Sequence, residues 1–359
     1  MGRVRAWRVM AVTVAMLGVG ACAAAPPPRP EAAAPPAPAV APVPAPVAVT
    51  PAPPPPPPLP EAFESEDFVV AFARSGDTAS SLAARFLGDA DRAWMVEDYN
   101  GRATFEAGQE VVVPRRPWNL SGVEPGGFQL VPVLCYHNLA PQARGRMVIA
   151  AKTFEEQMRY LKDQGYRVVS IRELLEFSTL RRQLPRKTVV LTFDDGWKAF
   201  KEYAYPVLKE LGFTATLFIY TDFVGARSAL SWDELRDLAK EGFDIQAHSK
   251  THSDMRRKPG EPDDEFLRRL QAELVQPQTL FQRQLGGPRD ILAYPYGAHS
   301  EEVVAKAREA GYVAAFDVRR QGNPSFGQRL TLHRSQIYSE MTLDEFARNL
   351  NVFNQEVIK

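Results

Sequence analysis

The segment LTFDDGWKAF, residues 191–200, sets two carboxylates, Asp194 and Asp195, side by side where an apolar run ends. Adjacent anions repel, so a pair held at one place calls for a counter-charge such as a metal ion. Taken alone, the pair is equally a strand-end turn with two solvated aspartates, and other segments must decide. HSKTH places His248 and His252 four residues apart, and such spacing brings two imidazoles to one point if the segment makes a helical turn. One carboxylate with two histidines leaves a divalent ion with open positions for water and substrate, as hydrolytic zinc sites require. A third stretch, AYPYG at 293–297, contains Pro295 and Gly297, which force a turn and could aim backbone N–H groups at a reacting oxygen. His137 in LCYHNL and the neighbours His333 and Arg334 in LTLHRSQIY complete the set.

These groups sit at the ends of predicted strands. KTVVLTF is short and rich in Val, Leu, Thr and Phe, the signature of a buried strand. QLVPVLCYH, YRVVSI, TATLFIY, FDIQAHS, DILAYPYG and YVAAFDV read the same way. Between them TFEEQMRYLKDQ, WKAFKEYAYPVLKEL, SWDELRDLAKE and EEVVAKAREA read as amphipathic helices. Strict β-α alternation predicts a parallel sheet with helices outside, closed or open, whose chemistry lies at the C-terminal strand ends. A glycosidase is disfavoured, because its carboxylates flank the bond roughly 5–9.5 Å apart, which adjacent residues of one strand cannot readily do.

The ensemble resembles the NodB-type polysaccharide deacetylases of carbohydrate esterase family four, over residues 128–359. TFDDG matches that family's first motif and HSKTH its second. The resemblance implies an α/β fold, a distorted (β/α) barrel, and hydrolytic N-deacetylation of N-acetylglucosamine residues using a divalent metal, most often Zn2+. Asp195, His248 and His252 would be the ligands and Asp194 the general base. A backbone N–H at Tyr296 would hold the oxyanion, with His137 nearby, and His333 would protonate the leaving amine. One departure is Ala293, which stands where the family commonly has the arginine that orients the base; Arg334 is the expected replacement. Neighbours in a strand face opposite sides, so His333 and Arg334 can serve one site only if the strand ends or bulges between them. His299 in YGAHSEE is expected at a helix start, in a structural role.

The N-terminal third is organised differently. MGRVRAWR and the apolar VMAVTVAMLGVG end in VGAC, which resembles a bacterial lipobox. A signal peptide at 1–21 and lipidation of Cys22 are expected, followed by a Pro/Ala-rich tether at 22–62. At about 3.1 Å per residue, that tether reaches on the order of 100 Å. Cys135, the second of 2 cysteines, then has no disulfide partner and is expected as a buried thiol. Residues 63–118 resemble a LysM module, a small β-α-α-β binder of wall glycans. Its glycan groove would be lined by Gly76, Asp77 and Thr78 on one side, with Asn100 and Gly101 on the other. The stretch RRPWNLSGVEPGG reads as a hinge between the two domains. With 43 basic and 43 acidic side chains, nothing favours a nucleic-acid surface. The expected partner is an N-acetylated glycan, peptidoglycan or poly-N-acetylglucosamine. The expected location is the periplasm or cell envelope, on the outer membrane if the host is Gram-negative. The competing functions are an O-acetyl esterase of the same fold and a non-catalytic glycan-binding lipoprotein, the latter favoured by Ala293 alone.

Overall fold

The computed structural model describes residues 61–287 and 289–356, so the expected signal peptide, Cys22 and the tether up to residue 60 lie outside the described residues. Seven strands form the main path of the large domain's principal sheet: β1 (Val133–Tyr136), β2 (Thr188–Asp195), β3 (Thr216–Ile219), β4 (Asp244–Ala247), β5 (Ile291–Ala293), β6 (Ala314–Phe316) and β7 (Ser335–Gln336). All their pairings are parallel, in the spatial order β6-β5-β4-β3-β2-β1-β7. The sheet curls until its two ends meet at a single parallel bridge, Phe316 to Leu332. The barrel is therefore split between β6 and β7.

Side-chain alternation along each strand divides the core into two layers. Leu134, Leu191, Leu217, Ile245, Leu292 and Ala315 face outward, against the helices. Val133, Val190, Phe218, Ile291, Ala293, Ala314, Phe316 and Leu332 face into the curl. Because the side-chain period is two, the inward series continues upward through Cys135 to His137, through Thr192 to Asp194, and from Leu332 to Arg334. The barrel interior is thus apolar below and charged at its C-terminal rim.

Two elements depart from expectation. YRVVSI yields only a two-residue strand, Arg167–Val168, paired to the start of β2. Ser170 then caps the helix Ile171–Ser178 in a reciprocal box with Glu173, and that local capping overrides the β-branched run. Ile171, Leu174, Leu175 and Phe177 of this helix join the inward-facing core. The second departure is a 23-residue helix, Asp263–Leu285, which the internal Pro277 disguises in the sequence. Among the described residues, no helix is long and apolar enough to cross a membrane.

The small domain is a three-stranded antiparallel sheet, Ala62–Glu64, Phe68–Phe72 and Glu110–Pro114, with helices Ala79–Leu87 and Ala93–Asn100. Val69, Ala71, Leu82, Ala83, Val96, Val111 and Val113 form its core. All five candidate glycan-contacting residues carry structural duties here. Thr78 caps the first helix. Asp77 accepts hydrogen bonds from the Arg74 backbone, from Ser81 and from Arg85. The Asn100 amide donates to the carbonyls of Val96 and Val112 while its oxygen accepts from the Val112 N–H. Gly76 and Gly101 supply left-handed turns. Within the expected hinge, the backbone N–H groups of Trp118 and Asn119 both donate to Gln183.

Candidate active site

Adjacent strand residues should point to opposite faces, yet Asp194 and Asp195 serve one site. Asp194 follows Val190 and Thr192 on the inward face and is buried. Asp195 adopts φ 74° and Gly196 φ 89°, a left-handed turn that is uncommon outside glycine. That turn brings Asp195 round to the same side. The His248 Nε2 atom accordingly lies 3.6 Å from Asp194 Oδ2 and 3.8 Å from Asp195 Oδ1. The other positive-φ residues besides glycine among the described residues are Leu180, Ser249, His252 and Tyr296. Four of the five thus fall in the three motifs, and such strain persists only where surrounding contacts impose it.

Asp195, His248 and His252 offer one ligand atom each, all within 4.8 Å of one another. Asp195 Oδ1 lies 3.3 Å from His252 Nε2, close to the roughly 3.3 Å edge of a tetrahedron with 2.0–2.1 Å metal bonds. It is buried without any hydrogen-bond partner, a costly state that a cation would relieve. Its other oxygen accepts from the indole Nε1–H of Trp197 at 2.9 Å. His248 Nδ1 sits 2.7 Å from the carbonyl of Ala293. Donation to that carbonyl leaves Nε2 with its lone pair turned to the site. Burial lowers the His248 pKa despite the two aspartates, favouring the neutral ring a metal needs. These residues fit a divalent cation. Trp197→Phe, which strips Asp195 of that donor, is expected to weaken Zn2+ binding about tenfold, measured by competition with a chromogenic chelator.

The two histidines do not meet through a helical turn. HSKTH is an irregular loop with left-handed residues at Ser249 and His252. Glu273, from the long helix the sequence disguised, shapes it: its carboxylate accepts from the backbone N–H groups of Lys250 and Thr251 and from the Thr251 hydroxyl. Ser249 Oγ accepts from the His252 N–H at 3.0 Å. Tyr220 and Tyr296 flank the His252 ring at 5.2 and 4.7 Å between centroids.

Arg334 reaches the site where Ala293 cannot. It lies fully buried inside the curl, with its guanidinium 5.1 Å over the Phe218 ring. Nη1 donates to Asp194 Oδ1 at 2.6 Å and Nη2 to Oδ2 at 2.8 Å, a two-pronged pair. Burial works to raise the Asp194 pKa, but Arg334, then His248, pull the carboxyl well below its ordinary value. Cys135 is buried as expected, though it belongs to the site: its Sγ lies 3.4 Å from Asp194 Oδ2. His137 Nε2 stands 4.0 Å from the same oxygen, and burial lowers its pKa.

His333 and Arg334 turn to different partners, and neither lies in a regular strand. They occupy the gap between the Leu332 bridge and β7. Arg334 points inward while His333 Nδ1 faces Asp317, 3.1 and 3.2 Å from its two oxygens. Asp317, one residue beyond β6, is not among the residues expected from the sequence; its only signal there is an acid at a strand end. Trp197 and Glu273 are equally unforeseen, since their roles exist only in three dimensions. His299 does precede a helix, with Ser300 as the cap of Glu301–Glu309. Its Nε2 lies 3.7 Å from Asp317 Oδ2. Tyr296, in the left-handed region at φ 60°, is 65 % exposed.

Comparison with known proteins bears on the fold and the family. Residues 181–315 match the family described as polysaccharide deacetylase, which places such a domain on that stretch. YxkH of Bacillus subtilis (strain 168) is 28 % identical over 182 residues, 51 % of this chain and 62 % of the relative. The poly-β-1,6-N-acetyl-D-glucosamine N-deacetylase of Staphylococcus aureus (strain MRSA252) is 25 % identical over 183 residues, 48 % of this chain. The match spans 62 % of that relative as well. The structure of IcaB from Ammonifex degensii superposes with a TM-score of 0.55 at 25 % identity, covering 62 % of this chain and 97 % of IcaB. The curled parallel sheet is therefore shared with IcaB.

Proposed function

We propose that the large domain is a metal-dependent hydrolase that removes acetyl groups from N-acetylglucosamine residues of a glycan. The observation that carries this reading is the buried, unpartnered Asp195 Oδ1 between two histidine Nε2 atoms, beside a carboxylate clamped by Arg334. When bound at Asp195, His248 and His252, a divalent cation would polarise the acetyl carbonyl and make water a better nucleophile at neutral pH. Zn2+ suits the two imidazoles and one carboxylate. Asp194, whose carboxyl the Arg334 guanidinium holds well below its ordinary value, accepts the proton of the attacking water, and Arg334 keeps its oxygens fixed for that transfer. The backbone N–H of Tyr296 stabilises the developing oxyanion. His333, held by Asp317 through Nδ1, turns Nε2 outward to protonate the departing amine.

The same reading extends to delivery. Residues 1–21 act as a signal peptide, Cys22 carries lipid, and the Pro/Ala-rich stretch lets the catalytic domain work away from the membrane, in the periplasm or cell envelope. The small domain, with its β-α-α-β order, acts as a LysM-type anchor to wall glycan. Because its five candidate residues all have structural duties, contact with glycan falls to the backbone of the two loops rather than to those side chains.

The test is acetate release by purified full-length protein, metal-stripped and zinc-restored, on peptidoglycan and on poly-N-acetylglucosamine oligomers. Zinc-restored release is expected on at least one of them. Glycan bound without release, whatever metal is added, would leave a binding protein on a deacetylase scaffold.

A further inference from the structure

Five histidines occur in the chain, and each lies within 4.0 Å of one of three aspartates, Asp194, Asp195 or Asp317. The proposed mechanism uses His248, His252 and His333 and places His137 beside the base. His299 has no part in it. Yet its Nε2 is buried, has no hydrogen-bond partner, and faces Asp317 Oδ2 at 3.7 Å. One carboxylate thus stands between two imidazoles, with His333 Nδ1 on one side at 3.1 Å and His299 Nε2 on the other.

Resting on the deacetylase reading, we infer that His299 is a positioning residue that sets the proton affinity of His333 through the shared Asp317 carboxylate. An Nε2–H tautomer of His299 would donate toward Oδ2 after a closure of about 0.7 Å to ordinary hydrogen-bond length. A carboxylate that accepts from two imidazoles holds either of them less strongly than one that accepts from a single ring. His299 thereby prevents Asp317 from locking a proton onto His333, and His333 keeps the capacity to release it to a leaving amine. Other groups also surround the trio. Asp317 Oδ1 accepts from the Arg319 backbone N–H at 2.9 Å, and the exposed Arg319 guanidinium reaches within 3.9 Å of Oδ2. Arg334 Nε donates to the Asp317 backbone carbonyl. On the far side Tyr294 meets His299 edge-on at 5.0 Å, with its hydroxyl donated to Leu330 and Arg308 beyond it. None of these supplies the missing partner of His299 Nε2.

The test reads protonation directly, by following the histidine Cε1–H resonances of the full-length chain against pH. His299→Ala is expected to move the His333 resonance's midpoint to higher pH and to carry the alkaline limb of kcat/KM upward with it. His299→Gln, whose amide N–H can replace the imidazole donor, should return both to the parent values. In an Asp317→Asn background, His299→Ala should change nothing, since the coupling carboxylate is gone. Should His299→Ala fail to fold, Asp317→Asn alone suffices, because the pKa of His299 itself must then fall. An unchanged His333 pKa in folded His299→Ala, or an unchanged His299 pKa in Asp317→Asn, would overturn the inference. A shift of the His333 resonance without any deacetylation would sustain the coupling and instead refute the function it is assigned to.

Discussion

Asp194→Asn is expected to lower zinc-dependent acetate release by about a thousandfold, within the range general-base removal produces, while Zn2+ binding is retained. The two halves of that expectation come from different contacts. Asp195, His248 and His252 would hold the cation, and Asp194 is none of them. Asp194 instead presents both oxygens to Arg334 and lies on the barrel's inner face, next to the ligand His248. An amide at this position keeps the shape but cannot take a proton from water. It also turns one N–H toward a guanidinium, so some loss of stability accompanies the loss of rate. Zinc titration and thermal melting of the variant separate these effects. Activity within tenfold of the parent, in a folded and zinc-loaded variant, would show that Asp194 is not the base.

Much of this site is legible in the sequence, and the part that is not has a physical reason. Chemistry at strand ends follows from β-α alternation, so the sequence puts Asp194, Asp195, His248, His252 and His137 at the same rim of the sheet. Replacement of the missing guanidinium at Ala293 by Arg334 is an expectation that the two-pronged contact with Asp194 meets. What sequence periodicity cannot supply is the breaking of periodicity. Asp195 and His252 reach the metal position through left-handed backbone, and His333 and Arg334 diverge because the barrel is split beside β7. Residues that act by touching another residue's far side are invisible as well. Trp197 on Asp195 and Glu273 under the HSKTH loop come from segments that read as ordinary helix surface or do not read as helix at all. The half-buried carboxylate Asp98 belongs to the same class: it accepts from the Arg186 backbone N–H, and partial burial pushes its pKa up to about 6.

Arg334→Met is expected to be the most destabilising single change at the site, costing about 3–5 kcal/mol, the usual penalty for orphaning a buried charge. For a domain of this size that corresponds to a melting temperature lower by roughly 10 °C. Burial sets that penalty: side-chain exposures of 0 % for Arg334 and 2 % for Asp194 leave no solvent to stabilise the carboxylate once the guanidinium is gone. The penalty therefore belongs to the abandoned Asp194, and removing its charge too should restore much of the loss. Arg334→Met/Asp194→Asn is accordingly expected to melt above Arg334→Met, although both are inactive. The pH dependence gives an independent sign. In the parent the folded Asp194 carboxyl lies well below its unfolded value of 3.8, so the pair's stabilisation is fully present above that value and is lost only as pH falls through the lower folded one. In Arg334→Met the desolvation that Arg334 opposed raises the folded pKa instead, and the charged form is penalised. The stability gap between parent and variant should thus be widest near neutrality and close as pH falls toward and through 3.8, the unfolded value. A gap that stays constant from pH 7 to pH 4, or a double variant no more stable than the single one, would mean that Arg334 stabilises the barrel through its packing on Phe218 rather than through Asp194.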